Sequence, residues 1–147
     1  MCCYRIPVTG SDDEESLAET FWAVARRLRH QSRRTLEPWE INPGHARALA
    51  VLMRHGAVRL STLAEHLRIA PRSATEVVDG LAERGLVERR PDPVDRRATL
   101  VALTGEGERV GEAIRVARAA EAERFFGALD PADRAELTRI LRRLRDD

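Results

Sequence analysis

Leu60–Gly105 reads LSTLAEHLRIAPRSATEVVDGLAERGLVERRPDPVDRRATLVALTG, and its changes of period decide the fold. Leu63, Ala64 and Leu67 form one apolar stripe at helical spacing, which predicts a short helix over 62–68. Thr62 and Glu65 have the spacing of a capping box, with Ser61 as an alternative cap. Pro71 suits the first turn of a second helix. Val77, Val78 and Leu81 give that helix an inner face, and Gly85 ends it, so it spans 71–84. Two helices joined by so tight a turn have the proportions of a helix-turn-helix. The period then changes. Leu86-Val87-Glu88-Arg89-Arg90 and Ala98-Thr99-Leu100-Val101-Ala102-Leu103 read as two short strands rich in β-formers. Pro91 to Arg97 between them is charged turn chemistry. A two-stranded hairpin directly after a helix-turn-helix is a wing.

Outward from this block the chain is helical. Residues 1–12 read as an arm. Gly10-Ser11-Asp12-Asp13 opens a helix from 13 to about Arg34, its acidic first turn facing the positive end of the helix dipole. Leu17, Phe21, Val24, Ala25 and Leu28 follow helical spacing, and Pro38 and Trp39 lie in a connector. Asn42 caps the next helix, Pro43 starts it, and Gly56 stops it, with Ala46, Leu49, Ala50 and Met53 inward. Thr104 caps a long helix to about Leu129, and Asp130-Pro131 opens the last one. The order is four helices, a hairpin and two helices, without internal repeats.

The chain has 147 residues, 43% hydrophobic and 33% charged, which suits one ordered domain. Its 25 basic residues, all Arg, face 24 acids, for a net charge of +1. That balance excludes a strongly basic nucleic-acid coat protein, but not a binder that concentrates Arg on one face. No apolar run is long enough to cross a membrane, and the N-terminus lacks the apolar core of a secretory signal. The cysteines, Cys2 and Cys3, are adjacent and cannot staple a fold, so a reducing, cytoplasmic setting is expected. No phosphate loop, nucleophile elbow or zinc-protease pair is present, so neither an enzyme nor a cofactor is expected. His30, His45, His55 and His66 have no metal-ligand spacing, and no metal is expected.

Gly85-Leu86-Val87-Glu88-Arg89, then Asp92-Pro93-Val94-Asp95-Arg96-Arg97, then Leu103-Thr104, stand in an ordered set at specific spacing. With the order of elements around it, this set closely resembles the MarR family of bacterial winged-helix transcriptional regulators. The resemblance implies a mostly α fold: a winged helix-turn-helix lobe at 41–103, with dimerisation helices at 13–40 and 104–147. On the helix from Pro71, the positions free of core duty are Pro71, Arg72, Ser73, Thr75 and Glu76. Arg72 can donate two hydrogen bonds to guanine O6 and N7. Ser73 and Thr75 suit phosphate or base edges. Glu76 can accept from cytosine N4 or orient Arg72 from the next turn. A capping box is the local alternative for Ser73 and Glu76. By resemblance, Arg97 is the wing residue that enters a minor groove, Arg96 the second choice, and Asp95 holds the wing in shape. Asp95 can equally act as a turn residue bonding its own backbone. Arg89 and Arg90 are placed for phosphate contact or a salt bridge to Asp95.

The terminal helices carry more apolar stripe than one small lobe absorbs. Leu17, Phe21, Ile114, Phe125, Leu137, Ile140, Leu141 and Leu144 are expected at a twofold interface. The resemblance further implies a double-stranded, pseudo-palindromic operator and a small, aromatic effector bound between dimer helices and lobe. Trp22, Arg26, Trp39, His45, Met53 and His55 are candidate lining residues. The expected function is a homodimeric repressor released by that effector. A protein-interaction module on the same fold is the alternative, and a redox sensor using Cys2 and Cys3 is another.

Overall fold

The computed structural model describes residues 16–146. The arm expected over 1–12, with both cysteines, and the acidic run from Asp12 to Glu15 lie outside the described residues. Helix α1 spans Leu17–Arg34, four residues later than the acidic run suggests. Ser16 is its N-cap, and a full capping box closes it: Glu19 N donates to Ser16 Oγ, and Ser16 N donates to Glu19 Oε2 at 2.8 Å. A single 3-10 turn, Glu37–Trp39, occupies the expected connector. Helix α2, Pro43–His55, has the predicted Asn42 cap, whose Oδ1 accepts from His45 N, and stops at Gly56.

The lobe follows: β1 (Val58–Arg59), α3 (Leu60–Leu67), α4 (Pro71–Glu83), β2 (Val87–Pro91) and β3 (Thr99–Leu103). Two expectations need correction here. Helix α3 begins at Leu60 with Arg59 in the N-cap position and no side-chain cap, so neither Thr62 nor Ser61 caps it. The sheet has three strands, not two: β1 pairs antiparallel with β3, giving the order β1-β3-β2. A two-residue strand is too short to show a period, so β1 has no signature in the sequence. Pro91, expected in the turn, ends β2 opposite Thr99. Its missing N–H is harmless there because β2 is an edge strand. Helix α5 is Gly105–Phe126, a little shorter than expected, and α6 is Pro131–Asp146, with Asp133 N donating to Asp130 Oδ1.

One core lies between α2, α3, α4, the sheet and the first half of α5. Leu49, Leu52, Leu63, Val78, Leu81 and Val101 are each at most 2% exposed. Ile114, expected at the dimer interface, belongs to this core at 4% exposed. Its stripe on α5 faces α2, and the helix turns a different side outward. On α2 the buried residues are Ala46, Ala48, Leu49 and Leu52, while Ala50 and Met53, expected inward, stay exposed.

The outer helices look different. No described residue of α1 or α6 is buried. Leu17, Phe21, Ile140, Leu141 and Leu144 are exposed, Leu17 by 87% and Leu144 by 69%. Phe125 is half-buried, edge-on to Phe126 with centroids 5.0 Å apart, and the Arg27 guanidinium lies over its ring. Leu137 is half-buried beside Phe126 in a cleft along α6.

The start of α5 is docked on the turn that ends α4. Thr104 Oγ1 donates to Gly85 O at 2.6 Å and accepts from Gly107 N at 3.0 Å. Thr104 N donates to Leu86 O. Gly107 is buried, and a Cβ there would lie 1.9 Å from the Leu86 carbonyl oxygen. Gly107→Ala is therefore expected to destabilise the protein by at least about 1–3 kcal/mol through overpacking. Gly105→Ala meets nothing within 4 Å and should leave the thermal midpoint unchanged or slightly higher. Thermal unfolding of the two variants checks this; equal midpoints would show that the joint yields without cost.

Candidate nucleic-acid interface

Helix α4 starts with Pro71 at its first position and Ala70 as an N-cap that offers no side chain. Its inner face is Ala74, Val78 and Leu81, with Val77 half-buried, so Pro71, Arg72, Ser73 and Glu76 are left outside. Ser73 sits inside the first turn, past the cap position. The capping box considered for Ser73 and Glu76 is therefore absent. Glu76 instead faces back toward Arg72, with Arg72 Nε 3.6 Å from Glu76 Oε1. Both side chains are well exposed, so the pair adds little stability, but it inclines the guanidinium along the helix. Thr75 is half-buried and its hydroxyl donates to Pro71 O at 3.1 Å. Ser73 thus offers a freer hydroxyl than Thr75 does.

The wing is the β2–β3 hairpin. Its Arg pair does not bond Asp95 as considered: Arg89 Nη2 donates to Asp79 Oδ1 of α4 at 2.5 Å, and Arg90 pairs with Glu88. The first bond ties the wing's edge strand to α4. At the tip, Asp95 Oδ1 accepts from Arg97 N at 3.0 Å, and Ala98 N donates to Asp95 O. Both roles considered for Asp95 thus coincide, because bonding its own loop fixes the backbone from which Arg97 projects. Arg96 and Arg97 are exposed, and among the described residues neither has a carboxylate partner.

Sequence reasoning missed the group at the base of this loop. Asp92 is 6% exposed, the one buried polar or charged residue of the described chain. Its Oδ2 accepts from Arg59 Nε at 3.0 Å and Arg59 Nη2 at 2.7 Å; its Oδ1 accepts from Val94 N at 2.8 Å and Asp95 N at 3.4 Å. The Val94 amide and the Arg59 guanidinium hold the Asp92 carboxyl below its ordinary range. The bonds to Asp92 in turn raise the Arg59 value. These partners stand 33 positions apart, and no spacing rule links them.

The candidate effector residues are scattered. Met53 lines a cavity of about 510 Å³ between α2 and α5, with Ala46, Leu49 and Ile114 as its apolar wall. Gly111 widens it: a Cβ there would meet Met53 Sδ at 2.6 Å. Arg118 also lines it; its Nε is buried with no partner among the described residues, and burial lowers its pKa. Neither Gly111 nor Arg118 was marked out by the sequence. Trp39 lies instead on a second cleft, beside Gln31 and Glu121. His45 packs on Gly80 of α4, and burial, then the Arg84 cation, lowers its pKa. His55 stacks on His66 with centroids 4.2 Å apart, and Trp22 meets the edge of Phe21. Arg26 is exposed on α1. Of the six, only Met53 reaches the α2–α5 cavity.

The model of the MarR family matches residues 41–99. A helix-turn-helix transcriptional regulator of Mycobacterium leprae is 34% identical over 107 residues, which cover 73% of this chain and 75% of that one. The transcriptional repressor MdtR of Bacillus subtilis is 25% identical over 122 residues, covering 83% and 79%. Among solved structures, BpsR of Bordetella bronchiseptica superposes with a TM-score of 0.74 at 24% identity, over 94% of this chain and 99% of that one, a likeness of fold.

The Asp92 site has a pH signature. Its folded pKa is depressed, so its pairing adds stability above the unfolded value, and that contribution is lost as the pH falls through the folded one. Asp92→Asn should be less stable than wild type at neutral pH, with the gap narrowing in acid. Urea unfolding across the acid range checks this, and a gap independent of pH would refute it.

Proposed function

The chain belongs to the MarR family of transcriptional regulators, and from that premise we propose that it is a homodimeric, sequence-specific DNA-binding repressor released by a small effector. The observation that carries this is the pair of exposed, braced Arg positions on one lobe. Arg72 stands at the start of α4, inclined by Glu76. Arg96 and Arg97 stand at the tip of a hairpin whose backbone Asp92 and Asp95 fix. A recognition helix presents its first turn to base edges in the major groove. Arg72 is the base reader, with Ser73, Thr75 and Glu76 at neighbouring edges or phosphates and Pro71 setting the helix start. A wing-tip Arg enters the adjacent minor groove, where negative potential is concentrated. Arg97 takes that position and Arg96 a neighbouring one. Arg89 and Arg90 lie on the wing strand β2, within reach of phosphates.

The apolar residues left open on α1 and α6 support a twofold partner: Leu17, Phe21, Ile140, Leu141 and Leu144, with Phe125 and Leu137 beside them. In this reading 41–103 is the DNA lobe, and 13–40 and 104–147 are the dimerisation segments. A twofold pair of lobes fits a pseudo-palindromic operator with half-sites roughly 34 Å apart. The repressive sense rests on the likeness to MdtR. BpsR, whose DNA binding is regulated by 6-hydroxynicotinic acid, supports an aromatic effector. The α2–α5 cavity is of a size for such a molecule. An effector releases the operator only by binding the DNA-incompetent arrangement more tightly. No described helix is long and apolar enough to cross a membrane, consistent with work on DNA in the cytoplasm.

Mobility shift on the DNA upstream of its own gene tests this reading. A retarded band that resists non-specific competitor at physiological salt is expected; its absence would favour a protein-interaction module instead. Arg72→Ala should cost about 1–3 kcal/mol and relax preference at one base position. An equal loss on every sequence would make Arg72 a phosphate contact. Arg97→Ala should weaken binding and lower its salt dependence. Unchanged affinity would exclude Arg97 from the interface.

A further inference from the structure

We propose that Arg59 and Asp92 are positioning residues for DNA binding: their ion pair presets the wing tip so that Arg97 meets the DNA already in place. This rests on the DNA-binding reading and names residues outside the predicted contacts.

Three observations carry it. The first is a continuous chain of bonds. Arg59, at the junction of β1 and α3, donates twice to Asp92 Oδ2. Asp92 Oδ1 accepts from the Val94 and Asp95 amides, so the same carboxylate that receives Arg59 shapes the loop. Asp95 Oδ1 then accepts from Arg97 N. Arg59 Nη2 also lies 3.8 Å from Asp95 Oδ2, so one guanidinium bears on both acids. The route from the helix-turn-helix to the tip residue thus runs through side chains, in addition to the hairpin backbone.

The second observation is what the helix gives up. The N-cap position favours Ser, Thr, Asn or Asp, whose oxygens accept from the open amides of the first turn. Helix α3 has Arg59 there and no side-chain cap. Arg cannot accept a hydrogen bond, so its presence does nothing for α3. Its side chain instead crosses to the wing.

The third is burial. The Arg59 side chain is 46% exposed, while that of Asp92 is 9% exposed. A buried carboxylate needs full partnership, and the two-pronged guanidinium with two amides provides it. Loops fixed in this way meet a partner with less ordering cost than mobile ones. Because the Arg59 charge is already paired, its contribution to binding runs through Arg97 and not through a phosphate of its own.

A double-mutant cycle on the full-length protein tests this, using the DNA upstream of its own gene and a salt titration. Arg59→Gln alone should weaken the specific complex on the order of tenfold, comparable with other coupled neighbours. In an Arg97→Ala background the same change should have little further effect, and the salt slope should not move. Arg59→Lys, which keeps the charge without the fork, should recover only part of the affinity. Asp92→Asn should behave like Arg59→Gln and add nothing to it. Thermal midpoints of all variants show that each is folded. Equal losses in both backgrounds, or a salt slope that Arg59→Gln lowers further in the Arg97→Ala background, would make Arg59 a direct contact and overturn the proposal. So would full affinity in Arg59→Gln. A wild type that shifts no DNA would fail earlier, by removing the DNA-binding reading itself.

Discussion

The start of α5 is fixed to the winged lobe by its close approach to the turn that ends α4, and its core packing on α2 continues from there. Thr104 bonds Gly85 and Leu86 through its side chain and its backbone, and it caps α5 through Gly107 N. Gly107 has no Cβ because the Leu86 carbonyl occupies that space. Gly85 takes a positive φ of 70°, which turns the chain from α4 into β2 at that spot. One small contact therefore fixes three directions: the axis of α4, the departure of β2 and the axis of α5. If the outer halves of α1, α5 and α6 hold a second copy, the separation of the two recognition helices is set through this joint.

The charge balance of the lobe is explained by the same economy of placement. From Arg59 to Leu103 there are eight Arg and seven acids, so the lobe is nearly neutral. Four acids face specific cations: Asp92 holds Arg59, Asp79 holds Arg89, Glu88 holds Arg90, and Glu76 inclines Arg72. The three exposed pairs, those of Asp79, Glu88 and Glu76, contribute little stability. Their effect is directional, because a long Arg side chain tethered at one point samples fewer positions. The tip residues Arg96 and Arg97 lack such tethers among the described residues, and there the backbone is fixed instead. Net charge near zero thus coexists with a concentrated, oriented positive tip. Arg suits this role better than Lys because its planar fork can engage an acid and a base edge by defined geometry.

Much of this was legible in the sequence. The inner stripes of α3 and α4, the Asn42 and Thr104 caps and the stops at Gly56 and Gly85 act within a few residues, and each is in place. The wing strands were legible for the same reason. What escaped was long-range or too short to have a period. Strand β1 has two residues and exists only because β3 offers it an edge. Ile114 shares a helix with the outer apolar residues, and only the packing of α5 on α2 assigns it to the core. Nothing local marks Arg59, and Asp92 reads as turn chemistry, because their partnership appears only when β1 and the wing turn are brought together. The candidate effector residues were chosen for their chemistry. The cavity near Met53 is defined instead by an absent side chain at Gly111 and a half-buried Arg118.

Helix α2 touches both that cavity and α4. Its Ala46, Leu49 and Met53 form one wall of the cavity. One turn earlier, His45 lies against Gly80 of α4, close enough that a Cβ at Gly80 would fall 2.7 Å from Nε2. Close-packed interiors transmit displacement because no void absorbs it. The imidazole already fills the space that a side chain at Gly80 would need, so α2 and α4 are in close contact there. The missing Cβ at Gly80 and the missing Cβ at Gly111 are thus complementary. One lets α2 approach α4, and the other leaves room on its far side against α5.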